Sequence, residues 1–394
     1  MKATRFRPPE LNPTPELRWV LHRGFATPDA PAPPPGDPSS AFDLATRLDL
    51  APRIAARAGA TLLTAEVGPV AASFTRARHL TAASAVRYEH TLKVVASLAE
   101  SRGIGLVILK GCAMGLLGIS SPGARNFSDL DILVAVDRIQ EMIGALVDAG
   151  WTLAPYPPSE LHEPPLSHPS LGTIELHRCI LGVRVPGSRR SSDGLSMDAA
   201  GLTQTVPTFN GTVRAPSIPV LTAHALVHGL VQHGYSPASY PLFRLLADLQ
   251  DLEADGADLQ HAIPFLREID SEDMDAVETL LKALGEGTAL DLPAGPPRTV
   301  LAHLMAGTLD LRYRVALRSD SRSVLGLSDL PLSMLVLRRV SHALVLSRAE
   351  VDAIYGRPKR QSGYLVRQVF RPVDLVLRLG SSIWARLNAS REML

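Results

Sequence analysis

Cysteine is scarce, with Cys112 and Cys179 the only two in 394 residues. Two are too few for a disulfide framework or a zinc ribbon, so the fold must hold itself by burying apolar surface, with both thiols packed. Long hydrophobic runs are missing as well. No eighteen-residue stretch is both apolar and free of charge, and the opening Met1-Lys2-Ala3-Thr4-Arg5-Phe6-Arg7-Pro8-Pro9 has no apolar h-region. That excludes a transmembrane helix as an expectation and predicts a soluble, cytoplasmic protein. Aromatic residues make up 5% of the chain. They are few in its basic carboxy-terminal stretch, which has no nucleic-acid recognition module, so nucleic acid is not the expected partner.

What the chain does have is apolar mass. With 46% apolar and 20% charged residues it can bury a full core in two or three subdomains. Net charge is +1, but its distribution is uneven: Arg312 to Leu394 holds 15 Lys/Arg against 6 Asp/Glu. Such a tail can be a docking surface for something anionic, an amphipathic helix at a membrane, or a set of solvated helix faces.

The pattern predicts five regions. Residues 1–40 read as a flexible arm, because Thr27 to Pro38 hold six prolines among Ala, Gly and Asp. Residues 41–103 show apolar spacings of three and four, the mark of helices. Residues 104–215 mix strands and helices. Ile104 to Leu109 reads as a buried strand, Cys112 to Leu117 as a short helix, Gly118 to Phe127 as a loop, and Asp137 as the N-cap of a helix stopped by Gly150. Pro155 to Pro169 and Gly187 to Thr205 read as surface excursions. Residues 216–290 are helical, as are the basic residues 291–394, with segments at Met334–Leu346 and Tyr364–Leu387 alternating Leu/Val with Arg.

The chemistry concentrates in Arg125-Asn126-Phe127-Ser128-Asp129-Leu130-Asp131-Ile132-Leu133-Val134. In a strand, residues two apart point to one side, so Asp129 and Asp131 would face together while Leu130, Ile132 and Val134 anchor the other face. Two such carboxylates repel unless a cation sits between them, and hard divalent ions prefer oxygen ligands. Thr173-Ile174-Glu175-Leu176-His177 has the same alternation. Laid beside the Asp strand, it would supply Glu175 as a third carboxylate.

The order Leu109-Lys110-Gly111, Arg125, Asp129-x-Asp131, Glu175-Leu176-His177, a His-bearing helix and Arg244-Leu245-Leu246-Ala247-Asp248 resembles the uncharacterised nucleotidyltransferase family of the polymerase-β-like superfamily. The similarity covers roughly Ile104 to Glu253. It implies an α+β fold: a small mixed sheet as the nucleotidyltransferase core, flanked by amino- and carboxy-terminal helical regions. It further implies Mg²⁺, or Mn²⁺, on Asp129, Asp131 and Glu175 as metal ligands and catalytic residues, since phosphoryl transfer asks mainly for positioning and charge stabilisation.

Lys110-Gly111 takes the place of a Gly-Ser pair in many members of that superfamily. With Arg125 and Ser128 it would bind the donor nucleotide, although Arg125 could equally pair with an acid to hold its loop and Lys110 could reach solvent. Glu175 could instead pair with Arg178. His177, His224, His228, Arg244 and Asp248 are candidates for acceptor contact or for support of the metal ligands, with Arg244 and Asp248 four apart and suited to pair with each other. His224 and His228 have zinc-site spacing, but Ala225 stands where a metalloprotease needs Glu. The implied partners are a nucleoside triphosphate and a small-molecule or peptide acceptor. Two other readings stay open: glycosyl transfer from a sugar nucleotide, and a non-catalytic nucleotide-binding or regulatory protein on the same fold.

Overall fold

The computed structural model describes residues 13–28, 30–154, 162–180, 202–208, 211–232, 242–266 and 271–309, together with Leu11, Ile269 and Val369. A single mixed sheet of seven strands carries the core: β1 (Val107–Ile108), β2 (Leu130–Leu133), β3 (Thr152–Leu153), β4 (Leu166–His168), β5 (Gly172–His177), β6 (Thr203–Thr208) and β7 (Gly211–Pro216). Their spatial order is β3-β4-β5-β2-β1-β7-β6. The α+β expectation holds. At the centre β2 runs parallel to β5 and antiparallel to β1, so the two motif strands are direct neighbours. Leu130, Ile132 and Val134 are fully buried, and these apolar residues fix the strand's register against a core that admits no slip.

Ten helices surround the sheet among the described residues: α1 (Pro15–Phe25), α2 (Pro38–Arg47), α3 (Ala51–Val67), α4 (Ala71–Glu100), α5 (Lys110–Leu116), α6 (Ile139–Asp148), α7 (Ile218–Leu226), α8 (Leu242–Ala254), α9 (Ser271–Gly285) and α10 (Pro296–Leu309). The span expected to be a flexible arm holds α1 and the start of α2, with a largely exposed connection between them. Thr14 caps α1 by accepting from the Leu17 N–H, and Trp19, Val20 and Phe25 are buried. Asp37 caps α2, accepting from the Ser39 and Ser40 N–H groups. Pro15 and Pro38 therefore start helices, where a missing N–H costs nothing, and are not signs of disorder. A proline behind a capping Thr or Asp marks a helix start, whereas the proline-dense stretch between α1 and α2 carries no helix or strand among its described residues.

Three further expectations shift. The strand read over Ile104–Leu109 pairs as a ladder only at Val107 and Ile108. The excursion at Pro155–Pro169 ends in β4, with Leu166 fully buried, while residues 155–161 lie outside the described residues. α6 is entered at Arg138, one residue after the expected Asp137 cap. Gly150 does take up the left-handed turn after it, at φ 100°. Most of Gly187–Thr205, His233 and, Val369 apart, everything after Leu309, including the helices expected in the basic tail, lie outside the described residues.

The longest helix, α4, spans about 45 Å at 1.5 Å per residue and packs on α3 and on the sheet's motif side. Its buried Phe74 meets Trp19 edge to face at 5.6 Å between ring centroids and Phe42 at 4.9 Å. This joins α1, α2 and α4 in one core. Lower down the helix, polar residues turn toward the loop before β2, and there the fold begins to build a site.

Candidate active site

The parallel register sets Asp131 opposite Glu175 and Leu133 opposite His177. Residues level on adjacent strands project to the same face, and so do residues two apart on one strand, so Asp131, Glu175 and His177 converge. One ligand atom from each lies within 4.8 Å of the others. Asp131 is 4% exposed. Its Oδ1 accepts from Lys110 Nζ at 2.6 Å and lies 2.7 Å from His177 Nε2.

Asp129 does not join that group. β2 begins at Leu130, so no ladder fixes Asp129 beside Asp131, and Oδ1 of Asp129 accepts from the neighbouring Ser128 hydroxyl at 2.9 Å instead. His177 takes the third place that the sequence pattern assigned to Asp129. Glu175 also departs from its alternative partner: Arg178 pairs with Glu163, a buried carboxylate.

The charges are unevenly served. Burial drives the Asp131 carboxyl toward its neutral form, yet the Lys110 ammonium and the His177 contact outweigh it and hold that carboxyl well below the usual carboxylate range. Asp129 and Glu175 go the other way. Burial raises both, and the charge on Asp131 raises them further. Burial also pulls Lys110 down, but Asp131 more than reverses this. His177 is lowered, chiefly by burial, so it is neutral at pH 7 and donates Nε2–H to Asp131. Three acids thus crowd around the Lys110 ammonium and a neutral imidazole, with Arg125 adding its charge toward Asp129, an arrangement that a divalent ion would relieve.

Lys110 opens α5 with φ 51°, a left-handed backbone that L-residues rarely adopt. Gly111 follows for a steric reason. A Cβ built on it would overlap the Arg125 guanidinium, which lies directly against the turn. Arg125 is fixed in that place by a fork onto Asp248 of α8, Nε to Oδ1 at 2.8 Å and Nη2 to Oδ2 at 3.0 Å, with both side chains buried.

The rest of the loop is tied down residue by residue. Asn126 donates to Asp49 at 2.6 Å and accepts from Thr81; Ser84 donates to the Phe127 carbonyl and Tyr88 to that of Ser128. Arg244 pairs with Asp49, while Asp248 holds Arg125. The i,i+4 spacing on α8 sets both side chains on one face, and each reaches a partner far away in sequence. Asp49, Thr81, Tyr88 and Asn126 went unnoticed in the sequence, since nothing in one chain signals partners 40 to 195 residues apart. His224 and His228 are both buried, ring against ring at 5.8 Å, on α7 and the π-helical turn Val227–Gln232 that extends it. Neither belongs to the metal-competent group.

Cys112, behind the turn, directs Sγ at the Asp129 carbonyl, 3.7 Å away. Burial, then the charge on Asp131, pushes its thiol from an ordinary 9.0 up to about 12. The thiolate is the nucleophile, so in a Cys179→Ser variant the remaining thiol should react with iodoacetamide at pH 8 roughly 10³-fold more slowly than in the urea-unfolded chain, at tenfold per pKa unit. Comparable labelling rates in the two states would disprove this account of its surroundings.

No curated protein matches the sequence. Among solved structures, the antibiotic-resistance factor ANT(2'')-Ia in solution is similar with a TM-score of 0.32 and 13% identity, over 44% of this chain and 86% of that one. The lincosamide antibiotic adenylyltransferase LnuA with lincomycin bound gives a TM-score of 0.30 and 18% identity, over 42% of this chain and 96% of its own. ANT(2'')-Ia in complex with adenylyl-2''-tobramycin gives 0.30 and 13%, over 48% and 92%. The family model is more extensive, reaching beyond Ile104–Glu253 at both ends to take in α2 through α9. Matching over residues 34–285, well over half its length, the chain belongs to the family of uncharacterised nucleotidyltransferases.

Proposed function

We propose that this nucleotidyltransferase moves a nucleoside monophosphate from a nucleoside triphosphate to a hydroxyl or phosphate of a small acceptor, with a divalent cation held between β2 and β5. The observation that carries the reading is the convergence of Asp131, Glu175 and His177 within 4.8 Å on adjacent parallel strands. The donor set fits such an ion: the carboxylates of Asp131 and Glu175 suit Mg²⁺ or Mn²⁺, with His177 beside them as the group that orients Asp131. Asp129, raised by burial and then by the Asp131 charge, stands two residues before Asp131 and would be the next carboxylate to meet the ion. When bound, the ion would supply charge neutralisation to the phosphoryl oxygens.

The chain's own groups do the rest. Arg125, locked by Asp248 against Gly111, keeps a fixed positive charge beside the turn where the phosphates would lie. Lys110 adds a second, on a flexible stem. His177 orients Asp131 through its Nε2–H. The rigid loop 125–129, bolted to α4 and α8, sets these groups before any nucleotide arrives, so little has to reorganise.

The test is product mass. The protein is incubated with Mg²⁺ or Mn²⁺, each of the four common nucleoside triphosphates or UDP-glucose, and a panel of hydroxylated small molecules and peptides. A nucleoside monophosphate adduct with equimolar pyrophosphate, lost on chelation, supports the reading. A hexose adduct, or transfer that survives EDTA, would overturn it.

A further inference from the structure

We propose that Lys110 is a displaceable counter-ion that couples metal binding to nucleotide binding: it neutralises Asp131 while the site is metal-free and transfers to the incoming triphosphate when the cation takes its place. The inference rests on the metal reading above and deepens it.

Two cations flank the glycine turn, and they are held differently. Arg125 is pinned through two N–H donors to both oxygens of Asp248. Lys110 is a point charge on a four-carbon stem with a single carboxylate partner, Asp131 Oδ1 at 2.6 Å. That carboxylate is also the most buried member of the metal-competent group. Lys110 holds Oδ1, the oxygen that also faces His177, and a divalent ion coordinating that atom would displace the ammonium from it, because like charges so close in a buried site repel strongly. A metal on Oδ1 therefore displaces Lys110.

A lysine leaving Asp131 needs another anion, or its buried charge is stranded. Glu175 and Asp129 are committed to the ion on this reading, and Asp248 is engaged by Arg125. The remaining candidate is the triphosphate, whose place is beside the turn from which Lys110 springs. Metal alone would bind against the cost of an unpaired ammonium; nucleotide alone would meet three acids. Together each removes the other's penalty, and linkage makes the effect reciprocal. Free metal is thus kept off the empty enzyme by a residue of the site itself.

The experiment measures Mn²⁺ binding by the electron paramagnetic resonance signal of the free ion, with and without the α,β-methylene analogue of ATP. The wild type is compared with Lys110→Met, which keeps the length and backbone demand of lysine, and with Lys110→Gln, which can still bond to Asp131 should the methionine variant fold poorly. The coupling is the ratio of the two Kd values. In the wild type it should exceed that of either variant by at least tenfold, chiefly because the variants bind Mn²⁺ more tightly when nucleotide is absent. Equal ratios, or weaker Mn²⁺ binding by both variants without nucleotide, would overturn the counter-ion role and leave the metal site standing. No Mn²⁺ binding by any of the three proteins under either condition would overturn both.

Discussion

Asp131→Asn should lower turnover by about 10²- to 10³-fold, the scale on which loss of one preorganised electrostatic group at a reacting centre is felt. Asp131 is the acid on which the site converges: Lys110 and His177 both bond to it, and its charge raises the pKa of Asp129 and of Glu175. Asparagine keeps the size and one acceptor oxygen but removes the negative charge, so both the ion and Lys110 lose their anchor. The effect should follow a gradient. Glu175→Gln, at the same level on the next strand, should come second, and Asp129→Asn third, since Asp129 stands outside the group within 4.8 Å. His177→Gln should cost about 10- to 100-fold, as expected for a residue that orients a ligand.

Because the substitution would leave the Lys110 ammonium in a buried site facing a neutral amide, Asp131→Asn should also reduce stability, by about 1–3 kcal/mol. Urea unfolding separates that loss from the catalytic one. Turnover within tenfold of wild type, measured well below the unfolding midpoint, would remove Asp131 from the centre of the chemistry. Asp129→Asn proving more damaging than Asp131→Asn would reverse the assignment drawn from the geometry.

The contrast between these two aspartates shows what the sequence could carry. Alternation in Asp129 to Val134 and in Thr173 to His177 was enough to place two strands, their buried faces and their common polar face, because period two is set by backbone geometry alone. Pairing of Asp131 with Glu175 followed from hydrophobic register once the strands were neighbours. The place where the strand starts was not legible. It is decided by hydrogen bonds to α4 from Thr81, Ser84 and Tyr88, which hold residues 126–128 out of the ladder, and these partners lie 40 to 45 residues away. Gly111 illustrates a second limit. Its need for glycine looked like a matter of phosphate approach, whereas it comes at least as much from Arg125 lying on the turn. The helices α1 and α2 were missed for a third reason: Pro15 and Pro38 are N1 prolines, told from linker prolines only by the Thr14 and Asp37 that stand before them.

Arg125→Met should destabilise the protein by about 3–5 kcal/mol, since it leaves Asp248 buried without its fork. Replacing both partners, Arg125→Met with Asp248→Leu, should recover part of that loss, because the penalty of one partner's removal is mainly the stranded charge of the other. Gly111→Ala supplies the independent arm. In the wild type the added methyl overlaps the guanidinium, so either the Arg125 fork or the start of α5 must shift, at a cost of about 1–3 kcal/mol for overpacking. With methionine at 125 the obstacle is a flexible chain, and the same methyl should cost less. The two changes should therefore be non-additive, with a coupling of about 0.5–3 kcal/mol, as for residues in contact. Urea midpoints at constant m report all four corners of the cycle. Additivity within about 0.3 kcal/mol would mean that Arg125 does not rest on Gly111 in solution. The fixed positive charge assigned to the phosphate turn would then have to come from Lys110 alone.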